Sequence, residues 1–69
     1  MAVLIFGKDE CPYTQAAIED HKHRGVRFEY VNVRKDPAGL ELMLAYSGGK
    51  RRVPVLVDGD RVTIGFGGT

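Results

Sequence analysis

The chain has 69 residues, 43% apolar and 28% charged, a balance that suits one folded domain, 1–69, and excludes a disordered chain. Ten basic against nine acidic residues leave a formal net charge of +1, which speaks against a general nucleic-acid or membrane-surface binder. The longest apolar run, Ala2 to Phe6, is far short of the roughly 20 residues that cross a bilayer. With no basic n-region and no cleavage pattern at its start, a cytoplasmic protein is expected. The chain holds one cysteine, Cys11. A lone cysteine forms no internal disulfide and no zinc knuckle, so a stapled secreted domain is not expected.

Ala2-Val3-Leu4-Ile5-Phe6 is a continuous apolar run of strand length and suits a strand buried on both faces. Gly7 ends it. Asp9-Glu10-Cys11-Pro12 has the composition of a helix start, with acids expected in the first turn and proline near the first helical position. That helix is expected from about Cys11 to Arg24, with Gly25 as its stop. Val26 to Val33 alternates and is rich in β-formers, which predicts the second strand. Asp36-Pro37 opens a second helix carrying Leu40, Met43 and Leu44, and Gly48-Gly49 closes it. Val53 to Val57 is the third strand; Asp58-Gly59 is a hairpin turn, and Asp60 to Ile64 returns as the fourth. The order is β-α-β-α-β-β. Strands one and two, joined through a helix, should be parallel. His21 and His23, two apart on a helix, read as surface residues.

Cys11 must be a thiolate to react. The first turn of a helix offers unsatisfied N–H groups and the positive end of the dipole, and Lys8 adds a positive charge. Thiols so placed have depressed pKa values, while Asp9 and Glu10 oppose the shift. The other reading of Cys11 is a buried, inert small hydrophobe. Thr14, one turn on, either donates its hydroxyl to the sulfur or bonds back to the helix backbone. Lys50-Arg51-Arg52 is a solvated loop or a group of cations beside the cysteine. Tyr13 either forms a rim to the site or is an exposed tyrosine. Gly65 to Gly68 either form an anion nest or a frayed tail.

Cys11-Pro12-Tyr13-Thr14 on the first helical turn, Lys8 three residues earlier, Ser47 to Pro54 ending in Val53-Pro54, and Gly65 after the last strand together resemble the glutaredoxins. The resemblance spans nearly the whole chain. It implies a thioredoxin-like fold, a four-stranded mixed sheet with two helices, truncated before the usual last helix. Three departures stand out. Thr14 replaces the second cysteine of the family's Cys-Pro-Tyr-Cys motif, the closing helix is missing, and Gly67-Gly68-Thr69 stands where an acidic pair usually follows. The chain also resembles very small glutaredoxin-like proteins, some with selenocysteine as nucleophile.

The resemblance further implies a glutathione-dependent thiol-disulfide oxidoreductase. Cys11 and Thr14 would be catalytic, and Lys8, Tyr13, Arg51, Val53, Pro54 and Gly65 would bind glutathione, the co-substrate, with no metal. Val53-Pro54 is expected to be cis and to turn its backbone towards an extended substrate. Partners would be glutathione and glutathionylated or disulfide-containing proteins. Two other functions fit a single cysteine: an iron–sulfur cluster or glutathione binding module, and a thiol redox relay or sensor. Without the last helix, the sheet around Val55, Leu56 and Val57 should be uncovered, making the protein a monomer or weak homodimer.

Overall fold

In the computed structural model, which describes residues 2–67, the chain runs β1 (Val3–Gly7), α1 (Pro12–His23), β2 (Phe28–Asn32), α2 (Pro37–Ser47), β3 (Val55–Asp58) and β4 (Arg61–Ile64). The strands form one sheet in the order β2-β1-β3-β4. β1 is parallel to β2, from Val3 opposite Phe28 to Gly7 opposite Asn32, as a helical crossover requires. It is antiparallel to β3, with Ile5 opposite Leu56. The β3–β4 hairpin closes with Asp58 opposite Arg61. This mixed sheet with two helices is the architecture the resemblance implied.

β1 is apolar throughout because both of its faces are covered. Val3 and Ile5 pack with Ala17, Ile18 and Leu56 on the α1 side, where Phe28, Tyr30 and Phe66 extend the cluster. Phe6 points the other way and packs with Val33, Met43, Val55 and Val57 beneath α2. Strand alternation produces this division. Ile5 and Phe6 are fully buried, and burying a side chain of that size stabilises the fold by about 1.5–3 kcal/mol.

Each helix starts and stops where local chemistry requires. Pro12 takes the first position of α1, and Arg24 and Gly25 close it with N–H bonds to Asp20 and Lys22 carbonyls. Asp36 caps α2 by accepting the Gly39 N–H at 3.0 Å, and Gly48 ends it in the left-handed conformation at φ +69°. That conformation is the usual place for glycine past a helix end.

Five expectations are corrected. Asp9 and Glu10 precede α1 rather than lying in its first turn. β2 begins at Phe28, because the Val26 N–H is spent on the His21 carbonyl at 2.9 Å. β3 begins at Val55, since Pro54 has no N–H to give a ladder. His21 is buried at 5% exposure. Its Nδ1 lies 2.7 Å from the Ala17 carbonyl, which can only accept, so the ring donates from Nδ1. The sheet at Val55, Leu56 and Val57 is not uncovered; these residues are 0%, 9% and 4% exposed. The reason given for self-association is therefore lost. No helix among the described residues is long and apolar enough to cross a membrane.

A Cβ on Gly39 would collide with Val31 and come 3.1 Å from the capping carboxylate of Asp36. Gly39→Ala gains roughly 1 kcal/mol of helix propensity, but crowding of this kind costs about 1–3 kcal/mol. Because the clash also strains the cap, the net expectation is a loss of about 1 kcal/mol. Thermal unfolding followed by circular dichroism should show a Tm about 4–8 °C lower.

Candidate active site

The site gathers where the parallel strands β1 and β2 end and the loops after them run side by side. Residues 8–11 form a tight turn, with the Cys11 N–H donating to the Lys8 carbonyl at 3.2 Å. Cys11 is the N-cap of α1, at φ −85° and ψ 116°, and its carbonyl accepts from the Gln15 N–H at 3.1 Å. The Gln15 side chain donates back to the Asp9 carbonyl at 3.1 Å. The turn is thus tied to the helix it precedes.

Cys11 is only 8% exposed. Burial pushes its thiol up. The Thr14 hydroxyl, the Thr14 and Tyr13 N–H groups and the charge on Lys8 outweigh burial, and the pKa falls below the ordinary thiol value. All of these act on the charged form. The side chain of Cys11 caps no N–H at full hydrogen-bond geometry, so these donors are held in readiness for the anion. Thr14 carries the clearest sign of this. It is fully buried, and its Oγ1 has no hydrogen-bond partner. Neither bond that the sequence offered, to the sulfur or back to the helix backbone, is therefore formed in full geometry, and the hydroxyl bears on Cys11 by favouring its charged form. A Cβ on Gly7 would collide with the Thr14 side chain, so the glycine ending β1 makes the space that Thr14 occupies.

The turn before Cys11 is also tied to the loop after β2. Tyr30 donates its hydroxyl to Asp9 Oδ1 at 2.8 Å, and Lys35 Nζ lies 4.0 Å from Asp9 Oδ2. Arg34 Nη1 pairs with Glu10 Oε2 at 2.7 Å. Burial, and next the Asp9 carboxylate, push the Tyr30 phenol far above its usual range, so it stays a donor. The Arg34 backbone N–H bonds the Asn32 side chain at 3.0 Å, which sets the turn that presents the guanidinium. Each exposed ion pair is worth only about 0.2–1 kcal/mol; together they fix where the turn sits.

Three of the residues singled out in the sequence, Lys8, Arg51 and Val53, line one cavity of about 360 Å³ with Val33, Arg34, Leu40 and Met43. Cys11 is not on its wall; Lys8 links the two. The Val53–Pro54 peptide is cis. Gly65, at φ +91°, donates its N–H to the Pro54 carbonyl at 2.7 Å, so that N–H is not available to an anion nest. Gly68, also assigned to the nest, lies outside the described residues. Tyr13 is 42% exposed and stands beside Gly67, whose added Cβ would lie 3.9 Å from the ring. Tyr13 and Gly65 do not line the cavity of Lys8 and Arg51. A larger open groove of about 720 Å³ runs along α1 past Ala16, Glu19, His23 and Phe66, and it contains no thiol. The sequence reading missed Arg34 and Tyr30, the latter lying within the run from Val26 to Val33 read only as a strand.

Thr14→Val keeps the shape and removes the hydroxyl. Losing a donor to the anion raises the thiol pKa. The pH midpoint of Cys11 alkylation should therefore move upward. Removing a buried, unpaired hydroxyl relieves a desolvation cost, so the Tm should be unchanged or higher. A parallel measurement of alkylation rate against pH and of thermal unfolding checks both.

A family model described as Glutaredoxin matches residues 3–62. The glutaredoxin-like protein NrdH of Escherichia coli K12 is 32% identical over 66 residues, which cover 96% of this chain and 79% of that protein. Among solved structures, the glutaredoxin grx-1 of Archaeoglobus fulgidus has a TM-score of 0.85 at 33% identity, covering 97% of this chain and 78% of its own. The Escherichia coli NrdH-redoxin, a glutaredoxin-like protein with a thioredoxin-like activity profile, has a TM-score of 0.82 at 30% identity, covering 96% and 84%. The match in sequence and in fold makes this chain a member of the glutaredoxin family of thiol-disulfide oxidoreductases.

Proposed function

We propose that the chain is a glutathione-dependent oxidoreductase working by a monothiol route through Cys11. The Cys11 thiolate attacks the glutathione sulfur of a mixed disulfide. The S–S bond breaks, the substrate thiolate leaves and takes up a proton, and Cys11 is left glutathionylated. A glutathione thiolate then attacks that intermediate, releasing glutathione disulfide and regenerating Cys11. Glutathione supplies the electrons, and no second protein thiol is needed.

The observation that carries this reading is the pairing of Cys11 with Thr14. A lowered thiol at the N-cap faces a hydroxyl, in the position where a resolving cysteine would stand, and the chain has no other cysteine. Lys8 and Arg51 on one cavity wall suit the carboxylates of glutathione, and a guanidinium suits a carboxylate fork. Val53 and the cis Pro54 beside them suit an extended peptide backbone, read as one more strand. Tyr13 and Gly65, which do not line that cavity, are assigned to the rim of the same site.

The likeness to NrdH-redoxin favours a second reading, a thioredoxin-like reduction of protein disulfides without glutathione. That activity ordinarily uses two thiols in a Cys-x-x-Cys motif, and Thr14 removes one. A glutathionylated peptide assayed with excess glutathione, beside a plain protein disulfide, separates the two. The monothiol reading expects turnover of the first and a trapped mixed disulfide, without turnover, on the second. The reverse result would establish the thioredoxin-like reading.

Arg51→Ala tests the cavity assignment. A contact made equally in ground and transition states changes KM and spares kcat. For one exposed cation, KM for the glutathionylated peptide should rise about two- to fivefold, and added salt should shrink the difference. A KM indifferent to both would leave Lys50 to Arg52 as a solvated loop.

A further inference from the structure

The cavity that Lys8 and Arg51 line has a third cation, Arg34. Among the described residues, neither Lys8 nor Arg51 is in an ion pair, whereas Arg34 is 2.7 Å from Glu10. Glu10 immediately precedes the nucleophile in the chain. The pair stands in the open, its side chains 62% and 61% exposed, so an anion can reach the guanidinium and exchange with the carboxylate.

We infer that Glu10 is a specificity-determining residue, an internal carboxylate that occupies Arg34 and competes with the anionic arm of an incoming disulfide. With Glu10 in place, two cations of the cavity are available and the third must be won from its partner. This lowers the preference for negatively charged disulfides over neutral ones, and it does so one residue from the reacting sulfur. The inference rests on the reading above only in placing the substrate's charged arm in this cavity. A merely structural role for the pair, fixing the turn before Cys11, would affect all disulfides alike.

The test uses the full chain and two chromogenic disulfides: the dianionic dithiobis(nitrobenzoate) and the neutral 4,4′-dithiodipyridine. In both, the Cys11 thiolate attacks one sulfur, a protein–reagent disulfide forms, the S–S bond breaks and the aromatic thiol is released. Both report the same thiolate, so a change in thiolate fraction or a loosened turn largely cancels in the ratio of their rate constants. At low ionic strength, Glu10→Gln should raise the ratio of dianionic to neutral rate constants about two- to fivefold, the scale of one exposed pair. In an Arg34→Ala background, most of that gain should vanish, because the group being released is no longer there. An unchanged ratio in Glu10→Gln overturns the inference. So does a full gain that survives Arg34→Ala, which would mean that Glu10 acts through its general field. Neither reagent needs glutathione turnover. A wild-type protein inactive on glutathionylated peptides would sink the monothiol proposal while leaving this comparison decisive.

Discussion

The site depends on a conflict at Cys11. A nearly buried sulfur resists ionisation because a charge is poorly solvated there. The fold answers with donors that gain most when the charge is present: the Thr14 hydroxyl, two N–H groups of the first turn of α1, and Lys8. The Thr14 hydroxyl carries the conflict most plainly. Buried with no hydrogen-bond partner, it costs stability at rest, of order 1–3 kcal/mol for such a group. That outlay is intelligible if the anion is the working state of the sulfur.

The fold supplies the position for this conflict. Parallel β1 and β2 finish together, Gly7 beside Asn32, and open sheets of this kind place their sites beyond the carboxyl ends of the strands. Gly7 leaves room for Thr14. Beyond it, two oppositely charged segments meet, Asp9-Glu10 against Arg34-Lys35, with Tyr30 bonded to Asp9. The loop before Cys11 is held from outside by these contacts and from below by α1 through Gln15. Elsewhere Pro54 meets Gly65, so the loop before β3 and the turn after β4 are joined.

Much of this was legible in the sequence because local chemistry and tertiary structure agree. The proline at the start of each helix, the capping Asp36 and the left-handed Gly48 are read from residue type alone. Lys8, Arg51 and Val53, grouped by resemblance alone, reach a common cavity from distant positions, a cavity that Cys11 does not line. The misses have physical causes. The helical repeat brings His21 onto the same face as Thr14, Ala17 and Ile18, and a histidine is tolerated there because its ring bonds a carbonyl within its own helix. The burial of Leu56 depends on α1 and Phe66 converging over the sheet, which no local pattern encodes. The Arg34–Glu10 pair was open to inference: two strands in parallel register deliver the residues that follow them side by side, and those residues carry opposite charges.

The central claim is that Cys11 is poised as a thiolate despite being buried. A pH titration of thiolate absorbance on the intact chain, with Cys11→Ser as the baseline, tests it most directly. The account predicts a single transition, absent from the serine variant, with its midpoint below the roughly 8.5 of a free cysteine. A midpoint at or above that value would mean that burial wins over the donors of α1, and that Cys11 is an inert core residue.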